Sequence, residues 1–187
     1  MGGMRRVILY IACSADGYIA RPDGAVDWLE AYSAGGEDYG YAAFLARVDT
    51  VILGRTTWDF AVSLADDPYP EQHSYVYTHR PPAPRERVTF VAGPPAELVG
   101  RLRAQAGRDI WLVGGAALNT AFAQADLIDE TWLFVVPTLL GAGIPLYRPG
   151  APEQTLRLLD THAYATGLVR LRYAHHGATG PSPTSGA

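Results

Sequence analysis

Short apolar runs recur along this chain, each closed by glycine, proline or a polar turn, and most are followed by a stretch with helical spacing. Residues 7–13 are apolar without interruption and stop at Ser14-Ala15-Asp16-Gly17. Residues 50–54, 75–77, 88–92, 110–113 and 131–136 repeat the pattern. Runs of this kind, without polar alternation, fit strands covered on both faces. Helical spacing follows over residues 38–47, with Tyr41, Phe44 and Leu45 on one face, from Arg55 onward, over 95–106 with Leu98 and Leu102, and over 116–125. Strands that alternate with helices predict an α/β fold around a largely parallel sheet. Near the end the period changes to two: Leu168, Arg170 and Arg172 alternate with Val169, Leu171 and Tyr173, so residues 156–162 and 168–175 read as a closing antiparallel hairpin.

Between these elements lie loops. Residues 18–30 carry Pro22, Asp23-Gly24 and Trp28 and read as one long ordered loop, in which Trp28 either covers a pocket or anchors the loop to the core. Residues 66–73 and 138–147 read as further loops. Residues 177–187, GATGPSPTSGA, have the composition of a disordered tail, so one domain is expected over residues 1–176.

Candidate chemistry concentrates where strands run into helices. In IWLVGGAALNTAFAQA an apolar strand ends at Gly114 and Gly115 and a helix begins at once. The first turn of a helix offers unpaired N–H groups and the positive end of its dipole to an anion. Paired glycines also serve any tight turn, and here they lack the full glycine pattern of a dinucleotide fold or a P-loop. A second junction, Gly54-Arg55-Thr56-Thr57, adds a fork-shaped donor suited to phosphate and a threonine able to cap the helix. Thr78-His79-Arg80 stands at the C-terminal end of another strand, where open α/β sheets bind ligands and where solvated loops also lie. Asp38, in a first helical turn, reads first as a cap.

Composition narrows the classes. The 187 residues are 48% hydrophobic and 18% charged, enough for one core. A net charge of −4, with 15 basic and 19 acidic residues interspersed, leaves no basic stripe for nucleic acid. The single cysteine, Cys13, fits a reducing compartment and reads as a small core residue. With no apolar stretch near the length of a membrane span, a cytoplasmic protein is expected. His175 and His176 would point to opposite faces of a strand, so no metal site is expected.

The order YIACSADGYIA, a tryptophan-bearing loop, VILGRTTWDF, YVYTHRP, IWLVGGAAL and LIDETWLFVVPTLLGAGIPLY resembles the dihydrofolate-reductase-like superfamily. More narrowly, it is similar to the reductase domain of the bifunctional riboflavin-biosynthesis deaminase-reductase and its stand-alone bacterial relatives, over residues 5–175. The resemblance implies a three-layer fold with helices on both faces of the sheet, and an NADPH site. Gly54, Arg55, Thr56 and Thr57 would meet the adenosine phosphates, and Thr78, His79 and Arg80 the 2′-phosphate end. Val113, Gly114, Gly115, Ala116 and Leu118 would hold the pyrophosphate, and the backbone of Ala12 and Ile19 the carboxamide. Ser14, Trp28, Phe134 and Pro137 would border the substrate, with Asp38 as the proton-handling carboxylate and Asp16 shaping the pocket mouth. Phe134 stands where folate reductases keep a hydroxyl that supports this carboxylate, which favours a substrate like 5-amino-6-(5-phosphoribosylamino)uracil over dihydrofolate. A binder that keeps the nucleotide site without chemistry is the alternative of another class. A small-molecule substrate and a homodimer, paired through aromatic surface near the C-terminal strands, complete the expectation.

Overall fold

The computed structural model describes residues 4–33 and 35–175; the expected tail and His176 lie outside the described residues. Among the described residues ten strands and five α-helices follow one another. An eight-stranded sheet has the order β5-β4-β3-β6-β1-β7-β10-β9. Its members are β1 (Val7–Ser14), β3 (Val48–Gly54), β4 (His73–Tyr77), β5 (Val88–Val91), β6 (Asp109–Gly114), β7 (Glu130–Val136), β9 (Arg157–Ala163) and β10 (Val169–Ala174). Every pair from β5 across to β7 is parallel, and β10 and β9 close the sheet antiparallel. This is the mostly parallel α/β sheet with an antiparallel end that the apolar runs predict.

Alternation along the strands feeds two cores, one on each face. On one face Val7, Leu9, Ile110 and Leu112 pack with Leu98, Val99 and Leu102 of α4 (Pro95–Arg103) and Leu118 and Phe122 of α5 (Ala116–Gln124). On the other, Ile8, Val51, Leu53 and Trp111 pack with Phe44 of α2 (Tyr41–Leu45), Trp58 of α3 (Arg55–Leu64) and Trp28. The central strands do not stay together. β1 pairs with β6 only from Val7↔Ile110 to Leu9↔Leu112, yet continues along β7 to Ser14↔Val136. The C-terminal half of β1 therefore has no partner strand on its β6 side.

Several expectations need correction. The two loops 18–30 and 138–147 are joined as a ribbon, because β2 (Tyr18–Ala20) pairs with β8 (Ile144–Pro145). The first of them also holds a 3-10 turn at Asp27–Leu29 and runs into α1 (Glu30–Ser33). Strands of three and two residues are too short to show a period. The helix expected over 38–47 is confined to Tyr41–Leu45, since Tyr39 and Gly40 have φ of 53° and 78° and break the helical path before it. The outer strand β9 exposes Leu158 and Leu159, aliphatic rather than aromatic. Among the described residues no helix is long and apolar enough to cross a membrane.

Cys13 is 4% exposed, and burial together with the neighbouring Asp16 pushes its thiol up to about 11. At pH 8 the thiolate fraction then falls on the order of a hundredfold below that of an ordinary cysteine. A thiol reagent at pH 8 is expected to leave the native protein unlabelled over the time in which the denatured chain reacts fully.

Candidate active-site cleft

Where β1 leaves β6, the C-terminal ends of β1, β3 and β6 open into a cleft of about 900 Å³, at the upper end of the usual range for small-molecule sites. Crevices of this kind form outside the carboxyl ends of parallel strands, where the order of strands reverses. Ala12 and Ile19 line it from β1 and β2, and Gly54, Arg55, Thr56 and Thr57 from the β3-α3 junction. Val113, Gly115, Ala116 and Leu118 line it from the β6-α5 junction. The structure thus brings most residues expected at a cofactor into one cavity.

Both junctions leave helix N-termini open. Gly54 and Gly115 are the N-caps of α3 and α5, both extended, and neither receives a side-chain cap. Thr57 does not cap α3, contrary to expectation, because the helix already begins at Arg55. Its hydroxyl instead lies 3.4 Å from where a Cβ on Gly115 would stand, so it sits between the two helix starts. Gly114 has φ of 102°, and a Cβ there would come within 2.6 Å of Asn119 Oδ1. The peptide between Gly114 and Gly115 is cis. Only residues without side chains let backbone approach this closely.

Thr78, His79, Arg80 and Gly114 do not line the cleft. Arg55 joins the first group to the cleft: its Nε donates to both oxygens of Asp59 at 2.7 and 2.8 Å, and its Nη1 to the carbonyl of Arg80 at 3.0 Å. The Arg80 N–H donates in turn to Thr78 Oγ1 at 3.0 Å, and His79 is exposed.

Two residues with no sequence signal complete this end. Arg148 follows the β2-β8 ribbon; its N–H donates to Thr120 Oγ1 at 2.8 Å, which sets it beside α5, and it lines the cleft. Asn119 is fully buried; its Nδ2 donates to the Leu146 carbonyl at 3.0 Å, and Oδ1 has no partner. It fastens the ribbon to α5.

The residues expected at the substrate are placed around the cleft, and none of the six lines it. Asp16 accepts from Ser14 Oγ at 2.6 Å and from the N–H groups of Leu140 and Gly141 at 3.1 and 2.7 Å. Its carboxyl is held below the ordinary range, first by the Ser14 hydroxyl and then by those N–H groups. Asp16 therefore pins the β1-β2 turn to the 138–147 segment. Asp38 is exposed, and its oxygens accept from the N–H groups of Gly40 and Ala42 at 2.8 and 3.2 Å, the local cap that a carboxylate before a helix usually makes. Trp28 is 7% exposed in the core. Phe134 is buried under Tyr10, with ring centroids 4.6 Å apart, and Pro137 is exposed just past β7. Among the described residues no group of three or more His, Cys, Asp or Glu could hold a metal ion; His175 is spent on Thr131 and Gln154.

A parallel sheet closed by an antiparallel pair, split at its centre and glycine-edged on both sides of the split, defines a dihydrofolate-reductase-like α/β fold. The chain belongs to the RibD C-terminal domain family, whose profile matches residues 5–170. It is 41% identical to the uncharacterized protein YwjB of Bacillus subtilis over 171 residues, 90% of this chain and 97% of that one. A solved protein of Shewanella sp. PV-4, assigned to riboflavin biosynthesis, superposes with a TM-score of 0.83 at 29% identity, covering 92% of this chain and 99% of the other. The dihydrofolate reductase of Enterococcus faecalis, solved with NADP(H), shares the fold with a TM-score of 0.66 at 13% identity, over 95% of this chain and 100% of the other.

Two outcomes follow from this geometry. Gly114→Ala is expected to lower unfolding free energy by at least about 1–2 kcal/mol, the cost of a left-handed non-glycine residue, before the Asn119 contact is counted; denaturant unfolding reads it. Asp16 has a folded pKa below its unfolded one, so its contribution is complete above the ordinary carboxylate range and disappears as pH falls through the lowered value. Asp16→Ala should therefore melt lower than the parent protein at pH 7, and the gap should close in a series carried down to about pH 2.

Proposed function

We propose that this chain is an NADPH-dependent reductase that passes a hydride to a small ring compound. The observation that carries the reading is the neighbouring pair of uncapped helix N-termini, at Gly54-Arg55 and Gly115-Ala116, on one cleft. Two such termini suit the linked phosphates of a dinucleotide, and the closely approached glycines leave room for its backbone. Arg55 and Arg148 are the two cationic residues of the lining, both at this end. Arg80, exposed and tied through its carbonyl to Arg55, suits a 2′-phosphate.

The bound nicotinamide would supply the hydride, and the reduced acceptor would take its proton from water. The residues of the chain do the placing. Ala12, on the free edge of β1, offers backbone to a carboxamide, and Ile19 flanks it from the ribbon. No carboxylate lines the cleft among the described residues, and Tyr10, on the same face of β1 as Ala12, puts a phenol into the lining. Burial, reinforced by Tyr164, Tyr41 and Asp38, holds its hydroxyl well above the ordinary tyrosine value and therefore protonated. Asp38 would act on the cleft only through this tyrosine.

Calorimetric titration with NADPH and with NADH tests the reading. NADPH is expected to bind at least about tenfold more tightly, and Arg80→Ala should bring the two within about threefold. Equal affinities in the parent protein would remove the role given to Arg80, and failure to bind either cofactor would overturn the reductase.

A further inference from the structure

The cleft has a second half, beyond the two helix termini. Tyr10 stands two residues before Ala12 on β1, so its ring rises on the face of the residue set beside the nicotinamide, and Trp111 of β6 packs against that ring. Tyr10, Tyr41 and Tyr69 surround Trp111 with ring centroids at 5.8, 5.9 and 5.6 Å and planes inclined by 75°, 75° and 88°. The Trp111 indole N–H is already used, donating to the Tyr10 carbonyl at 3.1 Å. Across from this box α3 presents Phe60 and Leu64, which are 41% and 73% exposed. Large apolar side chains left in solvent at the mouth of a cavity mark a surface that a ligand covers.

No charged side chain lines this half; Arg170 and Asp38, whose charges reach Tyr10, are spent on Asp160 and on backbone N–H groups. The two arginines of the lining belong to the other end: Arg55 opens α3, more than a turn before Phe60, and Arg148 is fixed beside α5. Neither carboxylate nor imidazole lines the cleft among the described residues, and the chain contains no lysine. Burial raises the hydroxyls of Tyr10, Tyr41 and Tyr69 above their ordinary values, so the rings stay neutral. A phosphate moved here would lose its water without gaining a guanidinium or a set of N–H donors. A pterin would find no carboxylate for its aminopyrimidine edge, since Asp38 is outside the lining and spends both oxygens on backbone.

We infer that this half of the cleft takes an uncharged, planar, mainly apolar ring compound carrying a conjugated C=O or C=N, and that a phosphorylated ribosylaminopyrimidine is not its ligand. Edge and face contacts with Trp111 and the three tyrosines hold the ring, and Phe60 and Leu64 close over it. The part played by that ring as hydride acceptor rests on the reductase reading; its chemical class rests on the lining.

2-Naphthol and 2-naphthyl phosphate differ only by the phosphate and serve as the probe pair. Each is titrated calorimetrically into the full chain, alone and saturated with NADPH. 2-Naphthol is expected to bind at least about tenfold more tightly than the ester. Leu64→Arg, at an exposed position, should cut that preference to about threefold or less by raising affinity for the ester, and Trp111→Ala should weaken 2-naphthol about tenfold. Equal or tighter binding of the ester by the parent protein, or no binding of 2-naphthol, overturns the inference whether or not NADPH binds. If the naphthol preference holds but NADPH does not bind, the reductase reading falls and the ligand class stands.

Discussion

The parting of β1 from β6 is the constraint from which the rest of the site follows. Two buried parallel strands ordinarily stay paired, because a main-chain group without a partner costs free energy. Here pairing stops at Leu9↔Leu112, and the freed edge must be satisfied in another way. Part of the answer is internal, since the Trp111 indole reaches the Tyr10 carbonyl. The rest faces the cleft, where a ligand amide can substitute for the missing strand. With the strands apart, the helices that follow β3 and β6 begin at the rim of the opening, and Gly54, Gly114 and Gly115 keep that rim free of side chains.

The cleft that results is unequal along its length. Its helix-terminal end gathers main-chain N–H groups, guanidinium groups and hydroxyls, while its other end is built from rings and aliphatic carbon. Such a division suits a polar cofactor and an apolar acceptor that meet over β1, each in a medium fitted to its own solvation. The β2-β8 ribbon fastens the wall between them through Asn119 and Leu146 on one side and Asp16, Leu140 and Gly141 on the other.

The parts of this arrangement legible in the sequence are those with a local cause. Apolar runs ended by glycine mark β1, β3 and β6, and the change of period near Leu168 marks the antiparallel end. The two helix starts at the cleft were legible for the same reason: Gly54-Arg55 and Gly114-Gly115 are contiguous motifs. The β2-β8 ribbon was not, because its strands are too short to alternate and their pairing is non-local. Nor was the aromatic box, whose members at positions 10, 41, 69 and 111 sit on four segments that no spacing rule connects. Tyr41 reads as one more apolar position of a helix face, and only the packing shows that its ring turns toward the cleft. Asp38 reads as a cap from its place before a helix and makes one with the N–H groups of Gly40 and Ala42, whereas Thr57, read as a cap by residue type, gives way to Gly54.

The aromatic box also makes the protein its own optical reporter. All four tryptophans are buried, and of them Trp111 alone lines the opening. Tyr10, Tyr41 and Tyr69 lie within 6 Å of its ring, close enough to pass excitation to it before they emit. Of the four indoles only Trp111 meets whatever enters the cleft, so the change in emission or near-ultraviolet dichroism on binding starts at a known position without any added label.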